Sequence, residues 1–182
     1  MLGAHLPESV GVFWTGNQVI SASYHRDDLS SISRLLARKP ILWDNYPAND
    51  GKLSSEYLHL QSYTGRPYQL ASWADGHIVN PMNQANLSKL VLQSLPAVYK
   101  YGKDYSPQQA MEKSLESLDD KSLALQIKSD LEMFQNQGLG TIDSRQRLQL
   151  VECYQCYFHP VASEILEWLA GDYCSDSNCL TG

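Results

Sequence analysis

The sequence predicts an α/β fold built on a parallel sheet and continued by a helical region. Three observations carry this expectation. Short apolar runs alternate with stretches of helical periodicity up to about Tyr99, each run ends in polar side chains, and beyond Gly102 only helical spacing remains. Alternating strands and helices build βαβ units, which place strands side by side and parallel.

The elements follow in order. Gly11–Trp14 (GVFW) reads as a strand closed by Thr15-Gly16-Asn17. Leu29, Ile32, Leu35 and Leu36 recur at helical spacing, with Asp27 or Asp28 as the expected cap and Pro40 as the stop. Ile41–Trp43 opens the stretch ILWDNYPAND as a strand expected to be buried on both faces. It then turns abruptly polar at Asp44, Asn45, Asn49 and Asp50, and Pro47 forbids a helix across the switch. The segment from Leu53 to Trp73 reads as a long ordered connection with room for a short helix. His77–Asn80 is a third strand, ended by Pro81, and a helix from about Gln84 to Tyr99 follows, kinked at Pro96. Ser106-Pro107 is a helix start, Ser capping and Pro in the first turn. Two helices broken near Asp119-Asp120, a break at Gly138-Leu139-Gly140, further helical pattern interrupted at Pro160, and a loose tail from Gly171 complete the reading.

Bulk properties narrow the functions. The chain has 182 residues, 43% hydrophobic and 19% charged, enough for one domain or one domain with an appendage. A net charge of -6 without a long basic run disfavours nucleic-acid and anionic-membrane partners. No apolar stretch is long enough to span a bilayer, and MLGAHLPESV has neither the basic nor the apolar region of a secretory signal, so localisation stays open. Eleven Tyr and four Trp offer faces for sugar rings or filling for a core. Cys153 and Cys156, with His159, have the residue types of a zinc site; the plainer reading makes them packed helix positions. Cys174 and Cys179 have a spacing that a disulfide in an oxidising compartment would allow.

In a parallel sheet the C-terminal strand ends share one rim, and ligand sites lie there. Trp14 and Thr15, Asp44 and Asn45, and Asn80 all fall at such ends. Four segments in order, FWTG (Phe13–Gly16), WDNYPAND (Trp43–Asp50), YTGR (Tyr63–Arg66) and VNPMNQANLSKL (Val79–Leu90), resemble the later part of the catalytic barrel of glycoside hydrolase family 84. The resemblance runs from about Leu2 to about Tyr105, and the helical remainder matches only loosely.

That family contains β-N-acetylglucosaminidases and protein O-GlcNAcases. The resemblance implies a retaining exo-glycosidase in which the substrate's acetamide oxygen attacks the anomeric carbon to give an oxazoline, with no cofactor. It implies residues 1–104 as the last three strands of a TIM (β/α)8 barrel and residues 105–182 as a helical bundle after it. Residue by residue, Asp50 matches a carboxylate holding the sugar's O4 and O6 hydroxyls, and Asn80 an amide at the same end. Asn45 matches an amide near the acetamide, Trp43 an aromatic wall of the acetamide pocket, and Val19 an apolar lining position.

The resemblance also implies an absence. The family's catalytic pair, two adjacent aspartates on the fourth strand, has no counterpart here, because the three strands correspond to the sixth, seventh and eighth. Asp27-Asp28 and Asp119-Asp120 read as surface charge rather than substitutes. The expectation is therefore a piece of a longer enzyme, with Met1 at an internal position and the N-terminal half of the barrel as partner. Such a piece would bind an N-acetylglucosamine-bearing glycan or glycoprotein without cleaving it. The competing expectations are a non-catalytic sugar-binding or helical interaction protein, and, on the cysteines alone, a metal-binding helical protein.

Overall fold

The computed structural model describes residues 2–173. In chain order its regular elements are β1 (Phe13–Trp14), α1 (Arg26–Leu36), β2 (Ile41–Asp44), α2 (Leu70–Trp73), β3 (Gly76–Val79), α3 (Ala85–Leu92), α4 (Ser94–Tyr101), α5 (Pro107–Glu116), α6 (Lys121–Glu132), α7 (Ser144–Tyr154) and α8 (Pro160–Ala170). The expectations for Cys174, Cys179 and the tail beyond Tyr173 lie outside the described residues. The chain divides into two compact units. One comprises Met1–Tyr46, Tyr63–Asn80 and Leu95–Ser106; the other comprises Pro47–Ser62, Pro81–Ser94 and Pro107–Gly182.

The first unit contains the sheet. Its three strands are parallel in the order β1-β2-β3, with Phe13 opposite Ile41 and Trp43 opposite Ile78. Side chains alternate across a strand. Leu42 and Asp44 are therefore on one face, where Leu42 joins a core of Tyr24, Leu29, Leu70 and Ala74 flanked by Trp14, Trp73 and Tyr99. Phe13, Trp43 and Ile78 share the opposite face, and all three are exposed. The expectation of a strand buried on both faces is thus corrected. Within the described residues one face of β2 is covered and the other is not.

Local chemistry explains the boundaries in this unit. α1 buries Leu29 and Leu36, and its N-cap is His25 in extended conformation. Asp27 and Asp28 lie inside the first turn, where their charges oppose the exposed N–H dipoles instead of capping them. The helix stops at Ala37, whose φ of 55° puts a non-glycine residue in the left-handed region. The Arg38 guanidinium then gathers the carbonyls of Gly3, Leu6, Pro7 and Val10, fixing the N-terminal segment.

The second unit is helical, with Trp168, Tyr154, Phe134, Leu123, Ile127, Leu58, Leu60 and Leu87 fully buried. Phe134 packs edge-on against Trp168 at 5.5 Å between ring centres, and the Trp168 indole N–H donates to the Ser55 carbonyl at 3.2 Å. The helix ends are chemically finished. Asp120 accepts from the backbone N–H groups of Ser122 and Leu123 at the start of α6. Asp143 and Gln146 form a reciprocal capping box on α7. The helical pattern is interrupted before Pro160 as expected, Pro160 begins α8, and Gly171 ends it with a φ of 89°. The single helix expected from Gln84 to Tyr99 is two, α3 and α4, parted at Gln93. The break lies three residues before Pro96, which has no N–H to give the Leu92 carbonyl and falls in the first turn of α4. Among the described residues no helix is long and apolar enough to cross a membrane.

Candidate carbohydrate site at the strand tips

Asp44, the last residue of β2, is 0% exposed. A carboxylate withdrawn from water needs a counter-charge and filled lone pairs. Arg66 supplies both, with Nε donating to Oδ2 at 2.8 Å and Nη2 to Oδ1 at 2.6 Å. The Tyr46 backbone N–H donates to Oδ1 at 3.1 Å, and His77 Nε2 lies 3.1 Å from Oδ2. An ionised carboxylate only accepts, so the His77 proton sits on Nε2, and Nδ1 accepts from the Tyr99 hydroxyl at 2.6 Å. Burial alone would raise the Asp44 pKa. The hydrogen bonds from Arg66 and His77 and the Arg66 charge outweigh it and hold the group below the usual carboxylate range. Burial, then the Asp44 charge, pushes the Tyr99 hydroxyl up to about 12.

Arg66 does more than neutralise Asp44. Its remaining N–H groups donate to the carbonyls of Ser21, Ala22 and Thr64 at 3.0, 2.8 and 2.9 Å. Its cation lies 5.4, 5.6 and 5.8 Å from the ring centres of Tyr24, Tyr46 and Tyr63. One guanidinium thus ties the loop after β1, the tip of β2 and the YTGR segment together. The glycines of FWTG and YTGR permit this. Gly16 and Gly65 have φ of 99° and 67°, and a Cβ on Gly65 would stand 2.3 Å from the Ala22 carbonyl oxygen.

Around this buried pair the exposed side chains are linked. The Asn45 side-chain carbonyl accepts from the Trp43 indole N–H at 2.9 Å and from the Asn80 amide at 3.3 Å. The Asn45 amide donates to the Val19 carbonyl at 2.7 Å, and the Asn80 backbone N–H donates to the Asp44 carbonyl at 2.9 Å. Trp43 is 38% exposed and Val19 69% exposed, so neither fills the core. Four of the five residues expected at the site, Val19, Trp43, Asn45 and Asn80, therefore meet at one rim of the first unit. Asp50 belongs to the second unit, where it is exposed at a turn closed by the Gly51 N–H donating to Ser54 Oγ at 3.0 Å. Its neighbour Asn49 is buried, bonding the Tyr57 carbonyl, the Gln84 side chain and the Asn83 N–H.

The rim presents the exposed Trp43 ring and the two Asn amides, while the Trp43 indole N–H is already committed to Asn45. Asp44 is locked as an anion beneath the rim. Asp120 is a helix cap, Asp119 stands 3.2 Å from the His159 ring, and Asp27 and Asp28 lie in the first turn of α1. The cysteines form no centre. Cys153 is half-buried and Cys156 exposed, and among the described residues no three His, Cys, Asp or Glu side chains gather where a metal ion could be held. The reading of both cysteines as packed helix positions is corrected for Cys156, whose thiol lies past the end of α7 and donates to the Glu152 carbonyl.

Reading the sequence left Arg66, His77 and Tyr99 without roles and placed Asp44 among the ligand-facing strand ends, a placement its complete burial corrects. A signal was available, since Asp44 ends an apolar strand and Arg66 is the one Lys or Arg between Leu53 and Trp73.

Comparison with known proteins identifies the family. A protein-family model described as beta-N-acetylglucosaminidase matches residues 1–135. The protein O-GlcNAcases of Rattus norvegicus and Mus musculus are each 28% identical to this chain over 133 residues, covering 72% of it. The chain spans 14% of the length of those two relatives. A mutant of the Thermobaculum terrenum O-GlcNAc hydrolase superposes with a TM-score of 0.72 at 25% identity, over 94% of this chain and 43% of that one. The structure named CpGH84B superposes with a TM-score of 0.58 at 25% identity, over 96% of this chain and 28% of that one. With the family match extending over well more than half of its residues, the chain belongs to glycoside hydrolase family 84, the β-N-acetylglucosaminidases.

Proposed function

We propose that this chain carries the sugar-gripping part of a β-N-acetylglucosaminidase that removes terminal N-acetylglucosamine with retention, through an oxazoline formed by the substrate's own acetamide. The observation that carries the reading is the convergence of Trp43, Asn80 and Val19 on the single side chain of Asn45. In this reading Asn45 bonds near the acetamide, Trp43 walls the acetamide pocket, Val19 lines it, and Asn80 grips a far hydroxyl; for Asp50 the family resemblance alone supports a hydroxyl-binding role.

Residues 1–104 are then the last three strands of a (β/α)8 barrel and residues 105–182 the helical region after it. The acid/base carboxyl and the carboxylate that polarises the acetamide come from polypeptide beyond these 182 residues. The exposed sheet face of Phe13, Trp43 and Ile78 supports this, because parallel sheets are ordinarily covered on both faces. The three strands also leave two open edges.

The test uses the purified chain with a chromogenic N-acetylglucosaminide and with free N-acetylglucosamine. No turnover is expected, and sugar-induced NMR shifts at Asn45 and Asn80 are expected to vanish in Asn45→Ala. Robust turnover by the chain alone, or sugar shifts elsewhere, overturns the reading.

A further inference from the structure

Within the second unit, α8 and the loop before it border a groove of about 460 Å3. Its walls are Tyr157, Phe158 and Tyr173, with Glu164, Glu167 and Ser163 between them. Among the described residues no strand-tip residue takes part, and no Lys or Arg lines it. We infer that this groove is a binding site for the cationic side chain, lysine or arginine, of a basic peptide segment.

Three features argue for it. Phe158 is 109% exposed, so its ring contributes nothing to this chain's own core. Aromatic faces beside carboxylates attract organic cations through the ring quadrupole and the charge together. The negative charge is also held in place. Glu164 is 8% exposed and accepts from the backbone N–H groups of Asn86 and Leu87 and the Asn86 amide, while Glu167 is exposed and accepts from the Tyr173 hydroxyl. Finally, no resident cation competes. The His159 ring accepts through Nδ1 from the Val161 N–H, which leaves its proton on Nε2 toward Asp119 at 3.2 Å. The Tyr173 hydroxyl feels the resulting field. The bond to Glu167 first, then burial and the charges of Glu167, Glu164 and Asp172, push it up to about 12.

The experiment is an NMR titration of the 15N-labelled 182-residue chain with the N-acetyl methylamides of lysine, arginine and, as an uncharged control, norleucine. The cationic probes are expected to shift the amides of Tyr157, Phe158, Glu167 and Tyr173 with millimolar affinity, and norleucine to leave them in place. Glu167→Gln keeps the acceptor for Tyr173 but removes the charge, and Phe158→Ala removes a fully exposed ring. Each is expected to weaken the cation about five-fold with thermal unfolding unchanged. Equal shifts with norleucine, shifts at other residues, no shifts at all, or wild-type affinity in both variants overturn the proposal.

Discussion

Asp44 and Glu164 are carboxylates withdrawn from water, one in each unit, and the chain satisfies them by opposite means. Asp44 receives a full counter-charge from Arg66 and a ring N–H from His77, so the first unit buries an ion pair. Glu164 receives only neutral N–H donors, two of them from the first turn of α3, where the helix dipole favours an anion. The difference follows from what each carboxylate has beside it. At the tip of β2 the backbone is already committed to the neighbouring strands, and a distant side chain must supply the donors. At a helix start, unused N–H groups are present from the outset. The first unit is therefore organised by a contact distant in sequence, and the second largely by helix ends that finish themselves.

The sharpest way to break this contrast is Arg66→Met. It strands Asp44 as a buried anion, and a loss of about 3–5 kcal/mol at neutral pH is expected in urea unfolding. The sign with pH is a second check. The wild-type pair contributes fully above the ordinary carboxylate pKa and weakens as pH falls through the lower native value. Without Arg66, burial raises the Asp44 pKa, a proton can neutralise it, and the variant's deficit shrinks in acid.

The second unit has an acid weakness of a different origin. Burial lowers the His59 pKa to about 4. The unfolded chain, at about 6.5, takes up the proton first, so stability falls as pH drops between those values, by about 2–3 kcal/mol. His59→Gln should flatten that part of the stability profile. Glu164→Ala removes the acceptor for the α3 N–H groups and is expected to cost about 2 kcal/mol, with Glu164→Gln costing less because one acceptor remains. The smallest effect is expected from Asp143→Ala, about 1 kcal/mol, since it undoes a single capping box. A larger loss there would mean that the helices of the second unit are less self-sufficient than their caps imply.

The order of strands and helices was legible because periodicity and punctuation are local. Apolar runs, Pro, Gly and polar strand ends located β1, β2, β3, α1, α5 and α6 within a few residues. Trp43, Asn45, Asn80 and Val19 were legible as a set only through family resemblance, and the hydrogen bonds centred on Asn45 show a physical link among them. Errors arose where two local rules competed. The one helix expected through Pro96 is two, parted at Gln93, and His25 precedes α1 although the better capping side chains, Asp27 and Asp28, come just after it. The Asp44–Arg66 pair was missed for another reason. Its partners are 22 residues apart, across a connection with little regular structure, and no periodicity reports such a meeting.

By itself the sequence determined the alternation of elements, the polar strand tips and the kinship with β-N-acetylglucosaminidases, because each of these is written in neighbouring residues. Tertiary structure decided which polar groups would be charged, buried or free. Those states depend on desolvation and on partners brought near only by folding, as Arg66 is brought beneath the rim where Asn45, Trp43 and Asn80 meet.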